Sequence, residues 1–230
     1  MAKAVIFDCD GVLVNTETIV IGIELEAMAE LGVHYERDAF IRKYLGCSET
    51  DFEAGLDADH RAAHGTGLPD GFFEAMEQRR VKALETDVAA ISGAHTFAAS
   101  LSGPRAVASS SRTPVLHMKL KKTGLKPLFG AHIHGGDDVK AGKPAPDLFL
   151  RAAGHLGVDP SDCLVIEDSA YGVQGARNAG MRAWGFTGGG HCPAGHGDQL
   201  EAAGAEAVFD HFDDIAAAWR NADQSAITSR

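Results

Sequence analysis

Three short apolar runs in this chain each end abruptly in a polar cluster, and this recurrence constrains the fold more than any other feature. Residues 4–7 lead into Asp8-Cys-Asp-Gly, residues 105–108 lead into three serines, and residues 163–166 lead into Glu167-Asp168. A short apolar run bounded by polar residues is typical of a buried strand. The sequence therefore predicts three buried strands, each followed by a polar cluster at its carboxyl end.

Helical patterns alternate with these strands. We predict weaker strands at 131–134, 182–185 and 207–209, and helices at 113–123, 146–156, 171–179 and 199–203. Regular alternation of strand and helix is typical of an α/β fold with a doubly wound parallel sheet. Ligands of such sheets bind at the carboxyl ends of the strands, where the polar clusters lie.

The segment from residue 15 to residue 86 breaks this alternation, because it has helical patterns and no convincing strand. Its predicted helices span 16–31, 36–44, 49–56 and 71–84. We therefore predict a core domain formed by 1–14 and 87–230, and an inserted α-helical cap domain formed by 15–86. Both ends of the insertion return to the exit of the first strand, so the cap would stand over the site and could close on it.

Composition and charge limit the partners of the chain. Of its 230 residues, 45% are hydrophobic and 23% are charged, as in ordinary globular proteins. The 21 basic and 32 acidic residues give a net charge of −11, which disfavours nucleic acid and anionic membranes as partners. No run approaches the ~18 apolar residues of a membrane span, and the first residues do not resemble a signal peptide. We predict a cytoplasmic protein with reduced cysteines.

Asp8 and Asp10 are two residues apart, so side-chain alternation can direct both carboxylates to one site. Close carboxylates repel each other, and a divalent cation or a separation of their pKa values stabilises the pair. Glu167 and Asp168 emerge at the same edge of the sheet, and carboxylate oxygens suit Mg²⁺. An isolated Asp-x-Asp is more often a solvated turn, but the agreement of several strand-end clusters favours a metal site.

Ser109 and Lys143 are candidates for phosphate binding. Ser109 follows its strand as a hydroxyl donor, close to the start of a helix. Lys143 lies in a loop that contains two prolines, where an ammonium group could neutralise phosphate and restrain nearby carboxylates. Taken alone, such a serine is a common helix cap and such a lysine is a common surface residue.

In their order along the chain, these motifs resemble the haloacid dehalogenase superfamily, in its phosphatase and β-phosphoglucomutase branch with a helical cap. The resemblance rests on DCDGVLVNTE at 8–17, Ser109, KPAPD at 143–147, IEDS at 166–169 and GVQGARNAG at 172–180. It covers nearly the whole chain and implies a Rossmann-like core. Dehalogenation itself fits poorly, because the acid at position 10 resembles the phosphotransferases.

The resemblance also implies roles for individual residues. Asp8 would be the nucleophile that forms an aspartyl-phosphate, and Asp10 would protonate the leaving alcohol and then deprotonate water. The residues expected to hold Mg²⁺ are Asp8, Asp10 through its backbone carbonyl, Asp168 and Glu167, and those expected to hold the phosphoryl oxygens are Ser109, Ser110 through its N–H, and Lys143.

Two cap positions bear on the choice between a phosphatase and a mutase. By the resemblance, mutases carry a histidine four residues after the threonine of the first motif, and an arginine after a Gly-x-Ser turn. Those positions here are Val20 and Glu49. A carboxylate near a second phosphate is repulsive, although Glu49 is also favourable as an acid at a helix start. A phosphatase is therefore favoured unless another base takes over the phosphate contact, for which the candidates are Arg42, Lys43, Arg79 and Arg80.

The sequence thus predicts a Mg²⁺-dependent phosphatase, a phosphoric monoester hydrolase, for a small phosphorylated metabolite such as a sugar phosphate. We expect no nucleic-acid or membrane partner, and a monomer or weak homodimer. The alternatives are a phosphosugar mutase and, from another class, a phosphate-sensing switch or binding protein. The glycine-rich loop at 188–196 contains His191, Cys192 and His196. We interpret it as a flexible loop near the mouth of the site, with a transition-metal site as the alternative.

Overall fold

A six-stranded, all-parallel sheet lies at the centre of the molecule. The computed structural model describes residues 2–44 and 49–228. The strands are β1 (Ala4–Phe7), β2 (Arg105–Ala108), β3 (Ile133–His134), β4 (Cys163–Glu167), β5 (Arg182–Phe186) and β6 (Val208–Phe209). Their spatial order is β3-β2-β1-β4-β5-β6, so the direction of winding changes between β1 and β4. The predicted doubly wound α/β fold is confirmed, and its switch point lies between these two strands.

The helices connect the strands and form the insertion after β1. The helices of the described residues are α1 (Thr16–Glu30), α2 (Arg37–Tyr44), α3 (Glu49–His64), α4 (Phe72–Asp87), α5 (Ala94–Ser100), α6 (Thr113–Lys122), α7 (Lys126–Phe129), α8 (Asp147–Leu156), α9 (Ala170–Asn178), α10 (His196–Ala202) and α11 (Phe212–Thr228). The sequence did not predict α5, α7 and α11.

Side-chain alternation along the buried strands divides the apolar core into two layers. In β1, Val5 and Phe7 join a cluster with residues of α5, α6 and α11. Ala4 and Ile6 face the opposite layer, where they pack with residues of α8 and α9. Both faces of a parallel sheet are covered in this way, which explains why its strands are continuous apolar runs rather than alternating ones.

The element boundaries differ from the sequence-based prediction at several places. The predicted strands at 131–134 and 207–209 shorten to the two-residue edge strands β3 and β6. Helix α3 extends to His64, eight residues beyond the predicted end at Leu56. The apolar periodicity stops at Leu56, but an ion pair between Asp57 and Arg61, with Oδ2 and Nε 2.6 Å apart, supports the following turns.

The helical insertion has an apolar cluster of its own. Ile21 and Met28 of α1 pack there with Phe40 of α2, Leu56 of α3 and Met76 of α4. The part of the insertion that the structure describes contains no strand, as the sequence indicated. The division into domains at residues 15 and 86 stays a prediction.

Two further features bear on the class of protein. Among the described helices, none combines the length and the hydrophobicity that a bilayer crossing requires. Cys9, Cys163 and Cys192 are free cysteines in this structure, and Cys47 lies outside the described residues.

Replacing Phe7 by alanine tests the packing of the core around β1. Phe7 is fully buried, and its ring meets Phe97 and Phe129 edge-on at centroid distances of 5.9 and 5.6 Å. Phe7→Ala removes these contacts and leaves a cavity, so the free energy of unfolding should fall by about 3–5 kcal/mol in equilibrium urea titrations. Leu150→Ala, at an exposed position of α8, is the control and should change it by less than about 0.5 kcal/mol. Equal losses in the two variants would contradict this account.

Candidate active site

The polar clusters that follow the three central strands meet at one edge of the sheet. Asp8 follows β1, Ser109 follows β2, and Glu167 closes β4 with Asp168 directly after it. The register pairs Phe7, the last residue of β1, with Ile166 of β4, and the backbone N–H of Asp8 donates to the Ile166 carbonyl oxygen at 2.9 Å. The carboxylates of both strands therefore project from the same point of the sheet.

Lys143 connects this edge to the loop before α8. Its Nζ lies 2.5 Å from Asp8 Oδ1 and 2.6 Å from Glu167 Oε1, and it donates to the Ala108 carbonyl oxygen at 3.0 Å. Burial alone lowers the pKa of Lys143, but the charges of Asp8 and Glu167 raise it above its ordinary value. Lys143 is thus a fixed cation that joins the ends of β1, β2 and β4.

Asp8, Glu167 and Asp168 form a buried acidic cluster, with one carboxylate oxygen from each within 4.8 Å of the other two. Burial raises the pKa of Asp8 well above its ordinary value, Lys143 opposes this, and the two neighbouring carboxylates add to it. Burial also raises the pKa of Asp168, against a hydrogen bond from His191. The cluster has more negative charge than its neighbours balance, and hard oxygen donors at this spacing fit a small divalent cation.

Two glycines make room for the acidic cluster. Gly11 has a φ of +77°, and a Cβ at this position would overlap the Asp168 carboxylate. A Cβ at Gly172, in the first turn of α9, would overlap the side chain of Glu167. Glu167 is also fixed by Ser169, whose backbone N–H and hydroxyl donate to Oε2 at 2.8 and 2.9 Å. Both glycines are therefore required for the side-chain positions of the cluster.

Asp10 faces a different set of groups from Asp8. Its Oδ1 accepts hydrogen bonds from Lys119 Nζ and, at 2.5 Å, from Thr16 Oγ1. Its Oδ2 accepts from Ser111 Oγ at 2.8 Å and from Ser109 Oγ at 3.2 Å. Burial alone raises the pKa of Asp10, but the charge of Lys119 and these hydrogen bonds bring it below its ordinary value. The two aspartates of the first motif thus have opposite electrostatic environments.

The three serines after β2 occupy different positions. Ser109 is fully buried, and its hydroxyl bonds to Asp10 and accepts the Ser111 backbone N–H at 3.1 Å. Ser110 and Ser111 line the cavity above the acidic cluster. Ser110 therefore lies at the wall of the cavity, whereas the buried hydroxyl of Ser109 forms a hydrogen bond with Asp10.

The cavity lies between the sheet edge and the helical insertion and has a volume of about 830 Å³, within the range of small-molecule sites. Its sheet side includes the predicted residues Asp8, Asp10, Ser110, Lys143, Glu167 and Asp168. Its insertion side is lined by Glu17, Val20, Glu24, Phe52 and Arg80.

The sequence model of the haloacid dehalogenase-like hydrolases matches residues 2–180 of this chain. The chain belongs to this family. The match confirms the predicted superfamily and the prediction that the chain is an enzyme of the hydrolase class. The order of these motifs along the sequence was sufficient to identify the family.

Solved and curated relatives agree with this family. A HAD family hydrolase from Deinococcus radiodurans R1, solved with bound phosphate and sodium, is 34% identical, with a TM-score of 0.86 over 96% of each chain. Fructose-1-phosphate phosphatase YqaB of Escherichia coli (strain K12) is 30% identical over 77% of this chain and 93% of the relative. Protein SUPPRESSOR OF QUENCHING 1, chloroplastic, of Arabidopsis thaliana is 34% identical over 78% of this chain, which spans only 17% of that protein.

The insertion side of the hydrolase cavity contains a partly buried ion pair between Arg80 and Glu24. The Arg80 guanidinium lies 5.4 Å from the centroid of the Phe52 ring. Burial raises the pKa of Glu24, and the charge of Arg80 opposes this. Burial also raises the pKa of Glu17 to about 7, with a further contribution from Asp10 and an opposing one from His191. This wall therefore presents carboxyl groups and an arginine that is already paired.

Two histidines of the 188–196 loop contact Asp168. His191 Nε2 donates to Asp168 Oδ2 at 3.0 Å, and His196 Nε2 donates to the Asp168 carbonyl oxygen at 2.6 Å. Burial alone lowers the pKa of His191, but the hydrogen bond to Asp168 raises it to about 11. Within the described residues, His191, Cys192 and His196 do not form a cluster spaced to hold a metal ion. The loop is therefore part of the wall of the hydrolase site.

Sequence analysis missed Lys119, Thr16, Ser111 and His191 as members of the site. Lys119 is buried on α6, and its position relative to Leu116 and Leu120 follows the i, i+3, i+4 spacing of a buried helix face. That spacing was the available signal, since a lysine on the buried face of a helix requires a partner. The contact between His191 and Asp168 joins residues far apart in the chain, and no local pattern indicates it.

The raised pKa of Glu17 predicts a pH-dependent cost in stability. A carboxyl group ionises near pH 4.3 in an unfolded chain but at about 7 in this protein, so its effect on stability becomes unfavourable as pH rises through this window. When thermal unfolding is followed with EDTA present, the melting temperatures of Glu17→Gln and the wild type should differ least near pH 4, and Glu17→Gln should melt several degrees higher at pH 8. Glu26→Gln, at an exposed position of the same helix, is the control and should show no pH-dependent gap. A gap for Glu17→Gln that is constant with pH would contradict the assignment.

Proposed function

We propose that this hydrolase is a Mg²⁺-dependent phosphatase that transfers a phosphoryl group from a small metabolite first to Asp8 and then to water. The observation that carries the proposal is the buried cluster in which Asp8 lies beside Lys143 and two further carboxylates. A nucleophile beside a fixed cation, at the floor of a cavity of metabolite size, suits attack on an anionic phosphate ester.

Magnesium is the cofactor that this cluster fits. Asp8, Glu167 and Asp168 would hold the ion, together with the backbone carbonyl of Asp10 that the family resemblance implies. When bound, Mg²⁺ supplies positive charge that offsets the repulsion between the carboxylates and the phosphoryl oxygens.

In the first step, a carboxylate oxygen of Asp8 attacks phosphorus in line with the leaving alcohol. The new O–P bond to Asp8 forms as the P–O bond of the ester breaks. Asp10, in the protonated form that the negative charge of the bound phosphate favours, gives its proton to the departing oxygen. Lys143 and the backbone N–H of Ser110 would hold the transferring oxygens, with Ser109 acting through its hydrogen bond to Asp10. The product of this step is an aspartyl-phosphate on Asp8.

In the second step, water attacks phosphorus of the aspartyl-phosphate. Asp10, now a carboxylate, takes the proton of the attacking water, and the O–P bond to Asp8 breaks. Inorganic phosphate leaves and Asp8 returns to its starting form. Division of a slow hydrolysis into two displacements makes each of them easier.

A sugar phosphate is the substrate class that we propose. The carboxyl groups of Glu17 and Glu24 can accept hydrogen bonds from hydroxyl groups of the leaving alcohol. The fructose-1-phosphate phosphatase of Escherichia coli, by its name, acts on such a compound. We also propose that the segment from 15 to 86 is the cap domain that selects the substrate, because it provides one side of the cavity.

On the described part of the cap side, little positive charge is available to bind a second phosphate group. Val20 lines the cavity where the mutases of the resemblance have histidine. Of the four bases that could hold a second phosphate, Arg80 lines the cavity and is paired with Glu24. Arg79 forms an exposed ion pair with Glu30 instead. The turn before Glu49, like its side chain, lies outside the described residues. These contacts favour water over a phosphosugar as the final acceptor.

Phosphate release from a substrate panel tests this function. With Mg²⁺, the wild type should release phosphate from one or more of the sugar phosphates, 6-phosphogluconate and phosphoglycolate, and EDTA should abolish the activity. Asp8→Asn removes the nucleophile and should lower the rate by at least ~10³-fold. Asp70→Asn, an exposed aspartate of the insertion, is the matched control and should retain the wild-type rate.

Two results would contradict the proposal. One is phosphate release that persists in Asp8→Asn, which would exclude Asp8 as the nucleophile. The other is interconversion of glucose 1-phosphate and glucose 6-phosphate with a bisphosphate primer in the absence of net release, which would establish the mutase.

A further inference from the structure

A buried lysine on α6 touches the carboxylate to which the proposed mechanism assigns proton transfer. Lys119 is 2% exposed, and its Nζ contacts Asp10 Oδ1 and, at 2.8 Å, Ser111 Oγ. Lys121 and Lys122 on the same helix are exposed. A buried ammonium group is costly unless it is paired, so the pairing with Asp10 accounts for the position of Lys119.

Asp10, Ser111 and Lys119 form a closed ring of hydrogen bonds. Ser111 Oγ donates to Asp10 Oδ2 and accepts from Lys119, while Lys119 itself donates to Oδ1. Thr16, at the start of α1, donates to the same Oδ1. Donors from α6, from the loop after β2 and from α1 thus fix both oxygens of one carboxylate.

We propose that Lys119 is a positioning residue that holds the Asp10 carboxylate at the place where it meets the leaving oxygen. The inference rests on the proposed phosphatase function. Proton transfer requires a heavy-atom separation of about 2.6–3.2 Å between the two oxygens. A displacement of about 1 Å at such a group can reduce the rate ~10²-fold. The described hydrogen bonds of Lys119 go to Asp10 and Ser111 and not to the acidic cluster. Substitution of Lys119 should therefore slow only the steps in which Asp10 transfers a proton.

The leaving group distinguishes this role from a merely structural one. An alkoxide leaving group is strongly basic and needs the proton from Asp10, whereas 4-nitrophenolate is a stable anion and leaves with little help. The value of kcat/KM reports transfer to Asp8, the first irreversible step. Displacement of Asp10 should therefore lower kcat/KM for a sugar phosphate much more than for 4-nitrophenyl phosphate.

The experiment compares Lys119→Met with wild type on fructose 1-phosphate and 4-nitrophenyl phosphate. We expect kcat/KM for the sugar phosphate to fall ~10²–10³-fold, and that for the aryl phosphate by less than about tenfold, with circular dichroism showing a folded protein. Lys119→Met should add little to Asp10→Asn in the double variant, because both act on the same proton transfer. Lys122→Met is the matched control on the same helix and should leave both values unchanged.

Lys119→Gln keeps a hydrogen-bond donor next to Asp10. Its kcat/KM should again fall more for the sugar phosphate than for the aryl phosphate, but by a smaller factor than in Lys119→Met. If Lys119→Met does not fold, Lys119→Gln provides the test. Equal losses on the two substrates, or losses that multiply with those of Asp10→Asn, would overturn the inference and leave the phosphatase function intact. A wild type that hydrolyses neither substrate, nor any other phosphate ester of the panel, would overturn both.

Discussion

The ammonium group of Lys143 lies between the carboxylates of Asp8 and Glu167, and the arrangement of the sheet edge depends on it. It joins residues from the ends of β1 and β4 and reaches a carbonyl oxygen of β2. Removal of one partner from a buried ion pair typically costs about 3–5 kcal/mol, since it leaves an uncompensated charge. Asp8 and Glu167 nevertheless share this single lysine, and the third carboxylate of the cluster, Asp168, pairs with His191. The fold therefore contains a deficit of positive charge at the point where β1 and β4 meet.

The two aspartates of the first motif show how one fold gives similar side chains different electrostatic environments. Asp8 lies in the acidic cluster, where burial raises its pKa, and Asp10 lies beside Lys119, whose charge brings its pKa below the ordinary value. Pairs of carboxyl groups whose environments separate their pKa values are typical of sites that need a nucleophile and a proton carrier. A bound cation would favour the ionised, nucleophilic form of Asp8. The charge deficit at Asp8 thus supports a bound cation, and the lowered pKa of Asp10 suits the second step, in which its carboxylate takes a proton from water.

Much of the fold could be predicted, because the apolar runs before Asp8 and Glu167 are local signals of buried parallel strands. The convergence of these residues with Lys143 follows from the rule that strand ends meet at one edge. The contacts of Lys119 with Asp10 and of His191 with Asp168 could not be predicted in this way, since each joins residues distant in sequence. The hydrogen bond from Ser109 to Asp10 is a further contact of this kind, and the phosphate contact of Ser109 stays a prediction. The predicted end of α3 is too early because the polar residues after Leu56 give no periodic hydrophobic signal. An ion pair between Asp57 and Arg61 nevertheless stabilises the helix there.

The most direct test of the charge deficit is thermal unfolding of the protein in a titration with Mg²⁺. An ion that binds only the folded state adds about 2.7 kcal/mol of stability when its concentration is 100 times its Kd. The melting temperature of the wild type should therefore rise by several degrees as Mg²⁺ is added. Asp168→Asn removes one ligand of the ion, so it should lose most of this response to Mg²⁺. A wild-type melting temperature that does not change with Mg²⁺, or an equal rise in Asp168→Asn, would contradict the account.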